Sequence, residues 1–375
     1  MAKCYVCGGI LNENTTTEEH IFLNAIGGHL KSKDLICKKC NSTFGNEIDT
    51  VLAKQFNFIA NMFNIKRDRG TPQTFDAVNT QDGSTYSLAP GGKPFRKKPI
   101  CVKINNTYRI TASNRKQART LLNGLKRKHP EIDTNAILNS ATTHTRYLDN
   151  ELRFSIWFGG TKAFRSLCKT AVNFYLYKGG LSKNVHHLIP YIKSGVESHP
   201  VVNYFYLDKP PFPTTSTEVL HSIIIKGDSY EKILFAYIEL FDFYKVIIML
   251  NDNYEEESIE YSYFFDVLSH KEVARDYELS LSKVRIDQAL INGISYTDIT
   301  QKLLPQLNIV IDKALKKQSS EHTRTLIETG VNNALMKISG KNLTIEEEQE
   351  IFLNETMQQL TPWIIRLFKK EPNFS

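Results

Sequence analysis

The sequence predicts an α+β protein in three segments: a small cysteine-paired module over residues 1–70, a mixed α+β body over 71–280 and a helical region over 281–375. Three observations carry this. Four of the six cysteines stand as two Cys-x-x-Cys pairs within the first 40 residues. β-Branched and aromatic runs concentrate between residues 201 and 268. From about Leu281 onward, apolar residues recur at helical spacing. The 375 residues, 41% apolar and 23% charged, allow two or three domains and a core without covalent staples. That composition excludes collagen-like and wholly disordered chains, and no internal repeat or low-complexity tract is present.

Taken in order, Asn46–Phe63 predicts a helix, since Ile48, Val51, Leu52, Phe56, Ile59 and Phe63 recur every three or four residues. A basic turn closed by Gly70 and Pro72 ends it. Pro99–Val102 and Thr107–Thr111 alternate as short strands around an Asn105-Asn106 turn. Ser113 is expected to cap a helix running to Lys128, stopped by Pro130. Residues 153–158 read as a strand broken by Gly159-Gly160. A helix over Thr161–Tyr177 follows and ends at Gly179-Gly180. Strands are expected at Val201–Leu207, Ser222–Ile225, Leu234–Leu240, Tyr244–Leu250 and Glu260–Val267, with Pro210, Pro211 and Pro213 marking a loop. Thr344-Ile-Glu-Glu347 is a capping box before a long amphipathic helix, and the tail from Lys369 is expected to fray.

The net charge of +7 hides an asymmetry. Between Gly91 and Pro130 there are twelve Lys or Arg and no acid; between Asp228 and Leu279 there are thirteen acids and four bases. The basic segment is a candidate phosphate-tracking surface, centred on Arg96, Lys97, Lys98, Arg115, Lys116, Arg119, Lys126, Arg127 and Lys128. Arg67 and Arg69 are further candidates for gripping a nucleic-acid backbone. The most apolar stretch, Ile233–Leu250, carries Glu239, Asp242 and Lys245, so no membrane span and no membrane partner are expected. The opening Met-Ala-Lys-Cys leads into polar sequence with no apolar run, so a cytoplasmic location is expected. In that reducing setting, paired cysteines point to metal rather than to disulfides.

Cys4-x-x-Cys7 and Cys37-x-x-Cys40 are separated by 29 residues. Each pair forms a knuckle that aims two thiolates at one point, and two knuckles complete a tetrahedral, closed, structural zinc site. The intervening stretch holds Glu19-His20-Ile21 and Gly27-Gly28, and Asn41 directly follows the last cysteine. In this order of features the segment from about 4 to 60 resembles the zinc-knuckled branch of the HNH, or ββα-metal, endonucleases. The resemblance implies a ββα-metal fold stabilised by zinc. It implies His20 as the general base that activates water, and Glu19 and Asn41 as ligands of a catalytic Mg²⁺ or Mn²⁺. It also implies 3′-hydroxyl and 5′-phosphate products. Two departures stand out. The acid before the histidine is Glu rather than the family's usual Asp, and the middle Asn of the family pattern has no evident counterpart. Asp34, with Ser32 behind it, is the candidate for that place. Asn46 is a further candidate for the metal site, or else a helix cap.

Weaker signals read more plainly. Cys101 and Cys168 sit in apolar settings and are expected to be buried and inert. Ser166-x-x-Lys169 matches a nucleophile pattern that arises often by chance. His186-His187 lacks partners at ligand spacing, and His29 reads as a loop histidine. Arg165, Lys169 and Asn173 share one face of the 161–177 helix, opposite Phe164, Leu167, Ala171 and Phe174, and this polar stripe reads as the solvent side. No nucleotide-binding loop motif appears.

The expectation is thus a metal-dependent endonuclease acting on DNA, with RNA a possible substrate, in a bacterial or phage antiviral defence setting. It would be restriction-like, or switched on by a ligand or companion protein. Two alternatives stay open: a zinc-containing nucleic-acid-binding module without catalysis, and an interaction module whose acidic 228–279 region docks a basic partner. Oligomeric state is not legible.

Overall fold

The computed structural model describes residues 2–105, 107–142, 147–148 and 150–370, and the side chains of all of these except Lys369 and Lys370. Asn106 of the expected turn and the last five residues of the expected frayed tail lie outside the described residues. The fold is α+β, and the chain forms two compact units. One comprises residues 1–75, 90–92 and 155–314; the other comprises 76–89, 93–154 and 315–375. Among the described residues, no helix is long and apolar enough to cross a membrane.

The first unit is built on a six-stranded antiparallel sheet. Its strands lie in the order Lys271–Glu272, Ile259–Asp266, Leu220–Asp228, Ile233–Leu240, Tyr244–Asn251, Val202–Tyr204. The three central strands are buried almost throughout, which is why they read as near-continuous apolar runs rather than as alternation. Leu220, Ile224, Phe235, Tyr237 and Ile247 face one core, which the helix Lys283–Asn292 seals with Ile286 and Leu290. The intervening residues face the other way. There Phe22 stacks on His221 and Tyr263, with ring centroids 5.6 and 6.0 Å away, and Phe174 of the helix Thr161–Tyr177 approaches Tyr263 at 6.3 Å. That second face carries the N-terminal module. Glu239, Asp242 and Lys245 explain why this apolar stretch is not a span. Glu239 and Lys245 are buried register partners bridged at 3.0 Å across a hairpin, and Asp242 sits in its turn.

The N-terminal module has a two-stranded antiparallel hairpin, Glu19–His20 with Lys31–Ser32, followed by a helix. That helix begins at Lys38, immediately after Cys37, and runs as α-helix to Phe44. It continues as one π-turn over Gly45–Asp49 and as α-helix from Thr50 to Met62. It therefore starts two turns before the expected Asn46, because Cys37 in extended conformation opens it. π-Turns within α-helices concentrate at functional sites.

The second unit contains a four-stranded sheet in the order Lys93–Arg96, Thr85–Ala89, Phe75–Asn79, Leu152–Arg153. Its other elements are a separate hairpin, Ile100–Ile104 with Thr107–Thr111, and the helices Arg115–Lys126 and Thr134–Ser140. The later part of Leu304–Ile338 and the helix Ile345–Lys370 complete it. The capping box is present: the Thr344 N–H donates to Glu347 Oε2 at 2.8 Å and the Glu347 N–H to Thr344 Oγ1 at 3.2 Å. Three local expectations are corrected. The cap of the 115–126 helix is Asn114, whose Oδ1 accepts from the Gln117 N–H, while Ser113 Oγ donates to the Arg96 carbonyl. The strand at 153–158 shrinks to Leu152–Arg153, because Phe158 turns into an aromatic cluster with Phe56, Phe243 and Tyr244 while Trp157 faces solvent. Cys101 is exposed rather than buried, since its hairpin has no covered face; Cys168 is buried as expected.

Candidate active site and metal centre

The two knuckles form at opposite ends of the module and meet. The first closes through the Cys4 carbonyl, which accepts from the Gly8 N–H at 2.8 Å. The second is the first turn of the Lys38 helix. The Tyr5 N–H donates to the Leu35 carbonyl and ties one to the other. The Sγ atoms of Cys4, Cys7, Cys37 and Cys40 lie within 4.8 Å of one another, with Cys7 and Cys37 at 3.8 Å. A zinc tetrahedron with bonds of ~2.3 Å has edges of about 3.8 Å, so the four thiols fit such an ion. Burial raises the Cys37 thiol, but the Cys40 N–H and the neighbouring sulfurs outweigh it and bring the group down to about 7.

The hairpin and the helix enclose a cleft of about 230 Å³. Glu19 and His20 enter it from the first strand. Asn41, Gly45, Asp49 and Ala53 enter from the helix at four-residue steps, and Asn24 from the turn between the strands. Gly28 holds that turn tight: a Cβ there would meet the Phe22 carbonyl oxygen at 2.0 Å. The Glu19-His20 doublet and the distant Asn41 thus share one cleft.

Behind the cleft lies a buried polar cluster. Lys169 Nζ stands 2.7 Å from Glu19 Oε1 and 2.5 Å from Asp49 Oδ2. Asn173 Nδ2 donates to the same Glu19 oxygen at 3.0 Å, and Ser166 Oγ donates to Asp49 Oδ1 at 2.7 Å. Arg165, on the same helix, donates through Nε to the Ile192 carbonyl at 3.0 Å. The expected solvent stripe is therefore a buried one: Lys169 and Asn173 have no exposed surface and Arg165 has 6%. The stripe is polar because its partners are polar. Ser166 and Lys169 both serve Asp49, so neither is placed as a nucleophile. Burial pushes the Glu19 carboxyl up, while Lys169 pulls it back; the two carboxylates hold Lys169 protonated against its own burial.

His20 is half-buried, and its Nε2 lies 3.0 Å from Asp68 Oδ2. Lys31, the register partner of His20, bonds the same carboxylate oxygen. Lys31 first and His20 second hold the Asp68 carboxyl down to about 2. The Asp68 N–H in turn donates to Asn24 Oδ1 at 2.9 Å. Sequence reasoning singled out the arginines on either side of Asp68 and passed over the acid. Nothing in the local pattern marks it, because its partner is 48 positions away. Asp49 had a signal: it lies two four-residue steps beyond Asn41 on one helix face.

The remaining candidates are spread out. Asp34 is exposed after the second strand, its N–H donating to Ser32 Oγ at 3.2 Å, and does not line the cleft. Asn46 is exposed on the π-turn and also lies off the cleft lining. Arg67 is half-buried, its Nη1 closing a turn on the Thr71 carbonyl at 3.3 Å, whereas Arg69 is exposed. In the second unit, Arg96 pairs with Asp82 at 3.3 Å and Lys97 with Asp76. Arg115 donates to Asn139 Oδ1 at 3.1 Å. Lys98, Lys116, Arg119, Lys126, Arg127 and Lys128 are exposed.

Residues 4–57 match the sequence model of the HNH endonuclease family. The matched span covers both knuckles, the hairpin and the helix through Asp49, so this module is an HNH endonuclease domain, of a nuclease family. No curated protein and no solved structure matches the chain.

Proposed function

We propose that the chain is a metal-dependent endonuclease that hydrolyses phosphodiester bonds of DNA, with His20 as general base. The observation that carries this reading is the convergence of Glu19, His20 and Asn41 on one cleft, with His20 seated on Asp68. The imidazole is half-buried, so water reaches it, and its Nε2 contact with a carboxylate steadies the cation formed when it takes a proton. The donors present fit a hard divalent ion. Glu19 Oε1 is occupied by Lys169 and Asn173, leaving Oε2. Asn41 offers an amide oxygen to the same cleft, and two carboxylates against one ammonium leave residual negative charge there. Held by Glu19 and Asn41, Mg²⁺ or Mn²⁺ supplies charge stabilisation for the phosphoryl transition state. The chain's own residues do the rest: His20 removes the proton from water, Asp68 orients it, and the Lys169 cluster fixes Glu19.

The exposed residues from Lys98 through Lys128 support binding to the nucleic-acid backbone. We place the protein in the cytoplasm, in a defence role that is restriction-like or awaits a ligand or companion protein. RNA cleavage is the variant of the same reading.

The test is plasmid nicking at low salt by wild type and His20→Ala, with Mg²⁺, Mn²⁺ or EDTA. Metal-dependent nicking that the substitution abolishes is the expected result. DNA binding by zinc-replete protein, with no cleavage under any metal and indifferent to His20, would establish the non-catalytic reading instead.

A further inference from the structure

Asp68 belongs to a second cluster. His29, Asp68 and His270 offer ligand atoms that all lie within 4.8 Å of one another. The three come from separate turns, and each turn is held in place. His29 follows Gly27-Gly28, where close approach to Phe22 fixes the backbone. Asp68 is pinned through its N–H to Asn24. His270 ends a turn that Asp266 braces by accepting from the Leu268 and Ser269 N–H groups, both at 3.1 Å. The two imidazoles meet edge to face, centroids 4.9 Å apart, and both pack on Phe265, at 6.0 Å for His29 and 5.3 Å for His270.

His270 closes the hairpin turn between strands Ile259–Asp266 and Lys271–Glu272, and its left-handed backbone, φ 57°, belongs to that turn. One feature of His270 lacks a packing explanation. Its Nδ1 is sealed from solvent and has no hydrogen-bond partner among the described residues. A buried ring nitrogen without a partner is costly, and an ion bound at it would supply one.

We infer that His29, His270 and Asp68 form a second metal site, distinct from the cysteine centre and from the Glu19–Asn41 pair, for a late first-row divalent ion such as Zn²⁺. Two imidazoles and one carboxylate are the ligand set of open zinc and non-haem iron sites, with room for water. Lys31 already offsets the Asp68 charge. The site therefore draws its affinity from nitrogen donors rather than from net charge, which selects Zn²⁺ over Mg²⁺. Because Asp68 also holds His20, an ion here draws the carboxylate away from the imidazole. That consequence, unlike the site itself, rests on His20 being the general base.

The test titrates Zn²⁺ into full-length, zinc-replete protein by calorimetry, in excess Mg²⁺, with His29→Gln and His270→Asn alongside. Expected is one further equivalent in wild type, at least tenfold weaker in each variant, with the cysteine-bound zinc retained in all three. Co²⁺ in place of added Zn²⁺ should give weak visible bands without sulfur charge transfer. His29 is exposed, so its variant keeps the test valid if His270→Asn fails to fold. No further equivalent in wild type, or one that both variants retain, overturns the site. Slower nicking at the second equivalent supports the link to His20. Nicking unchanged by a bound second ion overturns the link and leaves the site intact.

Discussion

Lys169 places its ammonium 2.7 Å from Glu19 Oε1, across 150 positions of sequence, and so joins the body of the first unit to the acid that precedes His20. The lysine has no exposed surface. Its burial is tolerable only because two carboxylates and the hydrogen bonds around them replace water.

Lys169→Met should therefore leave Glu19 and Asp49 facing each other without a cation. Removing one partner of a buried ionic cluster costs about 3–5 kcal/mol. Urea unfolding should show a loss of this size in the variant. Adding Glu19→Gln and Asp49→Asn to Lys169→Met should recover most of it, because no buried charge then lacks a partner. A loss under about 1 kcal/mol for Lys169→Met would place the lysine in water instead.

The cysteine centre makes a second prediction. The knuckles have little core of their own without an ion, so there metal-binding energy becomes folding energy, whereas Phe22 and Phe56 of the same module are buried against the six-stranded sheet. Cys37→Ser should abolish the tightly held zinc and expose amides of the two knuckles to rapid hydrogen exchange, while the helix Thr50–Met62 and the strands from Leu220 to Asp266 stay protected. Cys101→Ser and Cys168→Ser should leave the zinc in place, since neither thiol belongs to the cluster. Equal zinc loss in all three variants would mean that the knuckles are not the site.

What the sequence revealed of this arrangement was whatever is local in the chain. Cys-x-x-Cys spacing, the Glu19-His20 doublet, the Gly27-Gly28 turn and the 161–177 helix each express a short-range constraint, and each is found where expected. Asp68 and His270 were missed because their meaning lies in partners distant in sequence. The stripe of Arg165, Lys169 and Asn173 was misread for a related reason. Periodicity shows that a helix face is polar, but a polar face meets either water or other polar groups, and only the fold decides which. Likewise Cys101 lies in an apolar strand whose hairpin has no layer over it, which no local pattern reveals.

His20 and Asp68 should separate in their effects on cleavage. Loss of a general base costs about 10²–10⁴-fold, and His20→Ala nicking should fall by that much. Asp68→Asn keeps a polar side chain beside His20 but removes the charge that steadies the imidazolium. It should slow nicking by about 10–100-fold, the usual cost of losing an orienting partner. Plasmid nicking under single-turnover conditions measures both. An Asp68→Asn rate equal to that of wild type would remove Asp68 from the mechanism.

Two buried groups give the pH dependence of stability opposing contributions. His221 Nε2–H donates to the Ile26 carbonyl at 2.9 Å, and its Nδ1 accepts from the Phe241 N–H at 3.2 Å, tying the hairpin turn to the sheet. Burial, against the pull of the Ile26 carbonyl, lowers this imidazole from 6.5 to about 4. The unfolded chain takes up the proton below 6.5 and the folded chain only below about 4, so this contribution is complete above 6.5 and lost as pH falls to about 4. Burial raises Asp242 from 3.8 to about 6, with Lys313 acting in the opposite sense. The folded state therefore holds that proton more tightly, and stability from Asp242 is lost as pH rises from 3.8 to about 6. Over roughly pH 4–6 the two slopes have opposite sign. His221→Gln preserves a donor and an acceptor but cannot titrate. Its stability relative to wild type should rise by about 3 kcal/mol between pH 6.5 and 4 and then level off. Asp242→Asn should change in the other direction, losing ground to wild type as pH falls through the same range. Denaturant unfolding of the three proteins at half-unit pH steps reads both differences. A His221→Gln curve parallel to wild type would mean that this histidine titrates normally and that the tie to Ile26 does not depend on its neutral form.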